Sequence, residues 1–197
     1  IRRDLLLISD EIYETIVYDG HRHVSPAALS PELRARTVLV NSLSKTYAMT
    51  GWRVGYCAAP AAFIAAMFLV LQQASRGPAT FVQDAAAVAL TAPQDCVQEM
   101  QREYAGRRSQ VLSALDHLPH ARAIAPEGGF FVMVDVRETG IPSNEIRRRL
   151  LRDHGVAVVH GSAYGPGGEG TLRVSFASGG TPLLEGLERL REGLSRL

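Results

Sequence analysis

Two kinds of hydrophobic pattern divide this chain. The first is the short, unbroken apolar run. Residues 5–9 (Leu5, Leu6, Leu7, Ile8 and Ser9) form such a run between polar neighbours, as in a strand buried on both faces of a parallel sheet. Residues 37–41 read as a second buried strand and residues 53–59 as a third, with a loop and short helix over 26–31. From Pro60 onward the apolar positions recur at helical spacing, predicting helices over 61–73, 81–90 and 94–118. Gly77-Pro78 and Ala92-Pro93 punctuate them.

The remaining pattern mixes both periods. Strands are expected at 122–125 and 130–136 around Pro126-Glu127-Gly128-Gly129. A helix follows over 143–154 with Ser143 as its N-cap, then strands at 156–160 and 171–177. Residues 181–197 form an amphipathic helix with Leu183, Leu184, Leu187, Leu190 and Leu194 on one face. The expected fold is α/β. Part of a larger mixed-sheet domain spans residues 1–105, and a smaller α+β domain spans 106–197.

Composition narrows the function classes. A net charge of +1 over 197 residues argues against a nucleic-acid or membrane-surface protein. Residues 54–71 carry no charge, but Pro60 and Gly55 interrupt them and their first part reads as a strand, so a membrane span is not expected. Cys57 and Cys96 make no metal or disulfide pattern, which fits a reducing cytoplasm. The chain opens at Ile1 and runs almost at once into an apolar strand, so it reads as the later portion of a longer protein.

One residue type stands apart. Of 21 Lys and Arg residues, Lys45 is the sole lysine. A lysine amine can lose its proton and attack a carbonyl; a guanidinium cannot. Ser42 and Ser44 precede it, and Arg53 follows between Gly51 and Gly55. A planar, two-pronged cation suits a phosphate. An amine for a carbonyl and an arginine for a phosphate together fit pyridoxal 5'-phosphate. Asp10 stands at the end of the first strand, where open α/β sheets place ligands, although it also suits a plain strand-end cap. Strand alternation sets Arg173 and Ser175 opposite Leu172, Val174 and Phe176. There Arg173 suits a carboxylate clamp, the alternative being a surface arginine on an edge strand.

The run Ser42-Leu43-Ser44-Lys45-Thr46-Tyr47-Ala48-Met49-Thr50-Gly51-Trp52-Arg53-Val54-Gly55-Tyr56 resembles the lysine signature of class I/II aminotransferases, the fold-type I pyridoxal phosphate enzymes. The resemblance extends over essentially the whole chain, as roughly the second half of such an enzyme. It implies that Lys45 holds the cofactor as an imine and shuttles a proton. It implies that Asp10 pairs with the pyridine nitrogen and Tyr13 with the ring hydroxyl. Ser42, Ser44 and Arg53 would anchor the phosphate, and Arg173 the substrate carboxylate. The implied substrates are an amino acid and a 2-keto acid, and the implied assembly is a cytoplasmic homodimer. The family's stacking aromatic ring, a phosphate-binding turn and an Asn at the ring hydroxyl are not in this sequence, so this stretch alone is not expected to catalyse transamination. Carbon–sulfur lyases, cyclopropane-forming synthases and the ligand-sensing domains of some regulators share much of the signature.

Three other features carry less. His21 and His23 alternate in a polar segment with no third metal ligand nearby, and read as a surface turn. Residues 165–170 match the letters of a dinucleotide fingerprint, but a strand follows where a helix must, so they read as a mobile loop. Arg147, Arg148 and Arg149 read as a solvated helix face.

Overall fold

In the computed structural model, which describes residues 3–197, the first sheet is built around β2 (Thr37–Ser42). It pairs in parallel with β1 (Leu7–Asp10) and antiparallel with β3 (Gly55–Ala58). The parallel pair needs a crossover, which includes the short helix α1 (Pro31–Arg34). Ser30 caps α1 by accepting the Leu33 N–H. Gly55 is required by the β2–β3 approach, since a Cβ there would lie 2.7 Å from the Asn41 carbonyl oxygen.

The first run forms a strand, and its apolar faces are open in this chain. The strand begins at Leu7, and Ile8 is 74% exposed, with Leu5, Leu6 and Leu7 exposed beside it. As the edge strand of its sheet, β1 is paired on one side alone, and no described element covers its faces. An apolar run signals a capacity for burial; the burial itself requires a covering layer.

Helix α2 (Leu43–Thr46) follows β2 directly. Leu43 packs with Val54, and with Val82 and Ala86 of α4 (Thr80–Thr91), to make the core of this part. Helix α3 (Ala61–Ala74) has the expected position but buries none of its residues, and Phe68, Leu69 and Val70 are exposed. Among the described residues no helix is long and apolar enough to cross a membrane. Helix α5 (Asp95–Ala114) is shorter than its apolar pattern suggests, because the chain turns at Asp116 and His117 while Leu115 and Leu118 stay buried. The chain divides into two compact units between Glu99 and Met100, inside α5.

The second unit is a four-stranded antiparallel sheet in the order β4-β5-β7-β6. Its strands are β4 (Arg122–Ile124), β5 (Phe131–Asp135), β6 (Val159–His160) and β7 (Thr171–Ser175). One face packs on α6 (Ser143–His154), which packs in turn on α7 (Gly180–Ser195). Val132, Val134, Leu172, Val174 and Phe176 are buried with Ile146, Leu150, Leu187, Leu190 and Leu194. Each such side chain contributes roughly 1.5–3 kcal/mol. At Gly193 a Cβ would come 2.5 Å from Leu150 Cδ2, so the missing side chain lets α6 and α7 approach closely.

Three local expectations are corrected here. Ser143 is not the N-cap of α6. Pro142 occupies that position, and Glu169 does the capping instead, accepting from Ser143 N at 2.7 Å and Ser143 Oγ at 3.1 Å. A carboxylate has two acceptor oxygens and suits the positive end of the helix better than one hydroxyl. The strand expected at 156–160 is confined to Val159–His160. The glycine-rich run is not a plain loop: it folds into 3-10 turns, Gly161–Tyr164 and Pro166–Gly168, whose backbones meet at Gly161 and Gly168.

Candidate active site

The lysine turn is built by Ser42. Its Oγ accepts the Ser44 N–H at 3.1 Å and lies 2.9 Å from Ser44 Oγ and 3.0 Å from the Val54 carbonyl oxygen. Leu43 N donates to the same carbonyl at 3.4 Å. The turn is therefore pinned to the segment leading into β3. Leu43, Ser44 and Thr46 are buried, while Lys45 is half-buried on the same turn.

Arg53 is not part of β3. It sits in the left-handed region at φ 55°, ψ 45°, and Ala48 in the same loop has φ 53°. Left-handed backbone at a residue with a Cβ costs about 1–2 kcal/mol, and such strain concentrates at functional sites. The exposed Arg53 side chain donates one N–H to the Thr50 carbonyl at 2.9 Å.

Asp10 is the last residue of β1, beside Val40, and its Oδ1 accepts the Ile12 N–H at 3.3 Å. Half-buried Tyr13 lies in the turn that follows. Two side-chain bonds tie this turn to the lysine segment. Asn41 Nδ2 donates to Glu14 Oε1 at 2.6 Å, and Thr15 Oγ1 lies 3.1 Å from Thr46 Oγ1. Asp10, Tyr13, Ser42, Ser44, Lys45 and Arg53 thus occupy adjoining segments of the first unit.

Sequence reasoning missed the polar groups behind these segments. Glu11 is buried and accepts from Ser25 Oγ at 2.7 Å, with His23 Nε2 at 2.8 Å. Burial alone would raise its pKa, but hydrogen bonds from Ser25, His23 and Ser9 outweigh that and lower it. Folding also brings further ligands to His23: its ring and the carboxylates of Glu11 and Glu14 lie within 4.8 Å of one another, where none was expected. The two glutamates are 12 and 9 residues away along the chain, beyond a spacing-based search. Their oxygens are already engaged, by Ser25 and His23 in one case and by Asn41 in the other. Glu11 carries the signal that could have found the arrangement, since a carboxylate beside a strand end must be partnered if buried. Tyr47 follows the lysine, and its hydroxyl donates to Gln94 Oε1 at 2.9 Å. Burial raises the pKa values of Tyr47 and Tyr56.

Arg173 belongs to the second unit, on β7, an interior strand and not an edge. Leu172, Val174 and Phe176 are buried, while Arg173 is half-buried on the other face. Its guanidinium carbon lies 4.2 Å from the centre of the Phe131 ring and 4.9 Å from that of Tyr164.

The donor set on the first unit fits a phosphorylated pyridine aldehyde. It offers one amine, two hydroxyls and an exposed guanidinium, with a carboxylate at the end of β1 and a phenol on the turn that follows.

Residues 1–190 match the family model described as aminotransferase class I and II. An arginine–pyruvate transaminase of Pseudomonas aeruginosa is 44% identical over 187 residues, covering 95% of this chain and 47% of that protein. An aspartate aminotransferase of Pyrococcus abyssi is 39% identical over 196 residues, covering 98% and 50%. Among solved structures, an aromatic aminotransferase from Pyrococcus horikoshii superposes with a TM-score of 0.94 at 40% identity, covering 99% of this chain and 52% of that one. The chain spans about half the length of the relatives it matches.

Proposed function

The chain belongs to the class I and II aminotransferases, and from that premise we propose that it carries the lysine side of a pyridoxal phosphate-dependent transamination site. The reaction moves an amino group between an amino acid and a 2-keto acid. The observation that carries this reading is the sole lysine, Lys45, half-buried on a turn whose neighbours supply phosphate-binding hydroxyls and a guanidinium.

When bound, pyridoxal phosphate supplies an aldehyde for amine exchange and a ring that accepts electrons from the substrate Cα. The Lys45 amine would hold the aldehyde and would serve as the base that moves the substrate Cα proton. Its tether to α2 keeps it close to that proton, and proximity lowers the barrier. Asp10, a carboxylate, would favour the protonated form of the ring nitrogen. Tyr13 would donate a hydrogen bond to the ring oxygen. Ser42, Ser44 and Arg53 would bind the phosphate through their hydroxyls and guanidinium. Arg173 grips the substrate carboxylate with paired N–H groups. The names of the relatives, transaminase and aminotransferase, favour transamination over lyase or sensing roles. A cytoplasmic location is in line with the free thiols at Cys57 and Cys96, and family membership suggests a homodimer.

Borohydride reduction of the cofactor-loaded protein, followed by peptide mass mapping, tests it. The pyridoxyl group is expected on Lys45. A label on any other residue, or none, overturns the assignment.

A further inference from the structure

We propose that Phe131 and Tyr164 are positioning residues for Arg173, holding its guanidinium in the orientation that receives the substrate carboxylate. This rests on the reading of Arg173 as the carboxylate clamp.

The argument begins with what a clamp needs. A fork-to-fork pair forms only when the guanidinium plane and the carboxylate plane coincide, and a free arginine side chain samples many rotamers. The guanidinium of Arg173 contacts two aromatic rings, at 4.2 Å and 4.9 Å from their centres. Rings attract a guanidinium through their faces and leave its N–H edges available to an acceptor. Two rings from different elements restrict the plane far more than one.

Each ring is itself placed by the fold. Phe131 opens β5, opposite Ser175, so the interior β5–β7 register sets it diagonally from Arg173, whose direct partner is Met133. Diagonal neighbours on one sheet face are within reach of aromatic side chains. Tyr164 ends the 3-10 turn Gly161–Tyr164. That turn is held by the Gly161–Gly168 backbone contact, by Thr171 Oγ1 donating to the Gly168 carbonyl at 2.7 Å, and by the His160 Nδ1 to Ser162 Oγ contact at 2.7 Å. Tyr164 is 56% exposed, so core packing gives no reason for an aromatic there. Contact with Arg173 does.

The test uses the cofactor-loaded enzyme and amino-acid half-reactions. Tyr164→Leu is expected to raise KM for the amino acid about 3- to 30-fold, the range a cation–π contact commands. Cofactor absorbance and labelling of Lys45 should not change. Tyr164→Phe, which keeps the ring, should recover most of the loss. In an Arg173→Ala background the Tyr164→Leu effect should vanish, since the ring acts through the arginine. Phe131→Leu is expected to behave like Tyr164→Leu; if it fails to fold, the exposed Tyr164 still decides the question. If Arg173→Ala raises KM and Tyr164→Leu does not, the positioning role is wrong and the clamp stands. If Arg173→Ala leaves KM and kcat unchanged, the clamp reading falls first and the positioning role with it. A Tyr164→Leu effect that persists without Arg173 also overturns the proposal.

Discussion

Asn41 Nδ2 donates to Glu14 Oε1 at 2.6 Å, and this bond joins the turn after β1 to the strand that leads into the lysine turn. The same buried amide accepts the Ser42 N–H through its Oδ1 at 2.7 Å. One side chain therefore links the Asp10–Tyr13 side of the candidate site to the Ser42–Lys45 side.

Asn41→Ala removes the Glu14 donor and the Ser42 acceptor together. A loss of about 1–3 kcal/mol is expected, from polar groups left unsatisfied, measured as a fall in the urea midpoint. Asn41→Asp keeps the acceptor but sets a carboxylate against Glu14. It should be strongly destabilised at pH 7 and less so at pH 5, because acid weakens the repulsion between two carboxylates. Equal midpoints for Asn41→Asp at both pH values would show that the two groups are not in contact.

Acid sensitivity follows from two carboxylates. The Arg137 hydrogen bond is the main reason the Asp135 pKa is lowered from 3.8 to about 2, with burial working against it. Glu11 is lowered from 4.5, because three hydrogen bonds outweigh the raising effect of burial. A depressed folded pKa means stability that is present above the unfolded value and lost as pH falls through the folded one. Unfolding free energy should therefore decline from about pH 4.5 toward pH 2. Glu11→Gln and Asp135→Asn should each flatten that decline, and unchanged slopes in both variants would contradict the assignment.

Gly161 has no room for a side chain, because a Cβ would overlap the Gly168 carbonyl and the Thr171 hydroxyl. Gly161→Ala should cost about 1–3 kcal/mol, the usual penalty of overpacking. Gly167→Ala, with open space around that position, should be close to neutral. Thermal unfolding of the two variants compares them directly, and equal melting temperatures would refute the close contact.

What the sequence determined by itself was local. Helical periodicity located α3, α4, α6 and α7 to within a residue or two. Alternation put Leu172, Val174 and Phe176 inside, because strand side chains must alternate between faces. The family was legible because its signature is a contiguous run around Lys45. Tertiary structure decided everything that depends on distant pairs. Asn41 meets Glu14 across 27 residues, Thr15 meets Thr46 across 31, and Glu169 caps α6 at Ser143 across 26. Tyr164 reaches Arg173 by way of a glycine contact that no periodicity encodes. Coverage of β1 is likewise not encoded in its own residues: the run at residues 5–9 has the composition of an interior strand, but within this chain, which spans about half the length of its relatives, no described element covers its faces. A side chain's neighbours along the chain set its local conformation. Its partners in space, and so its burial and charge state, are set by which segments the fold brings beside it.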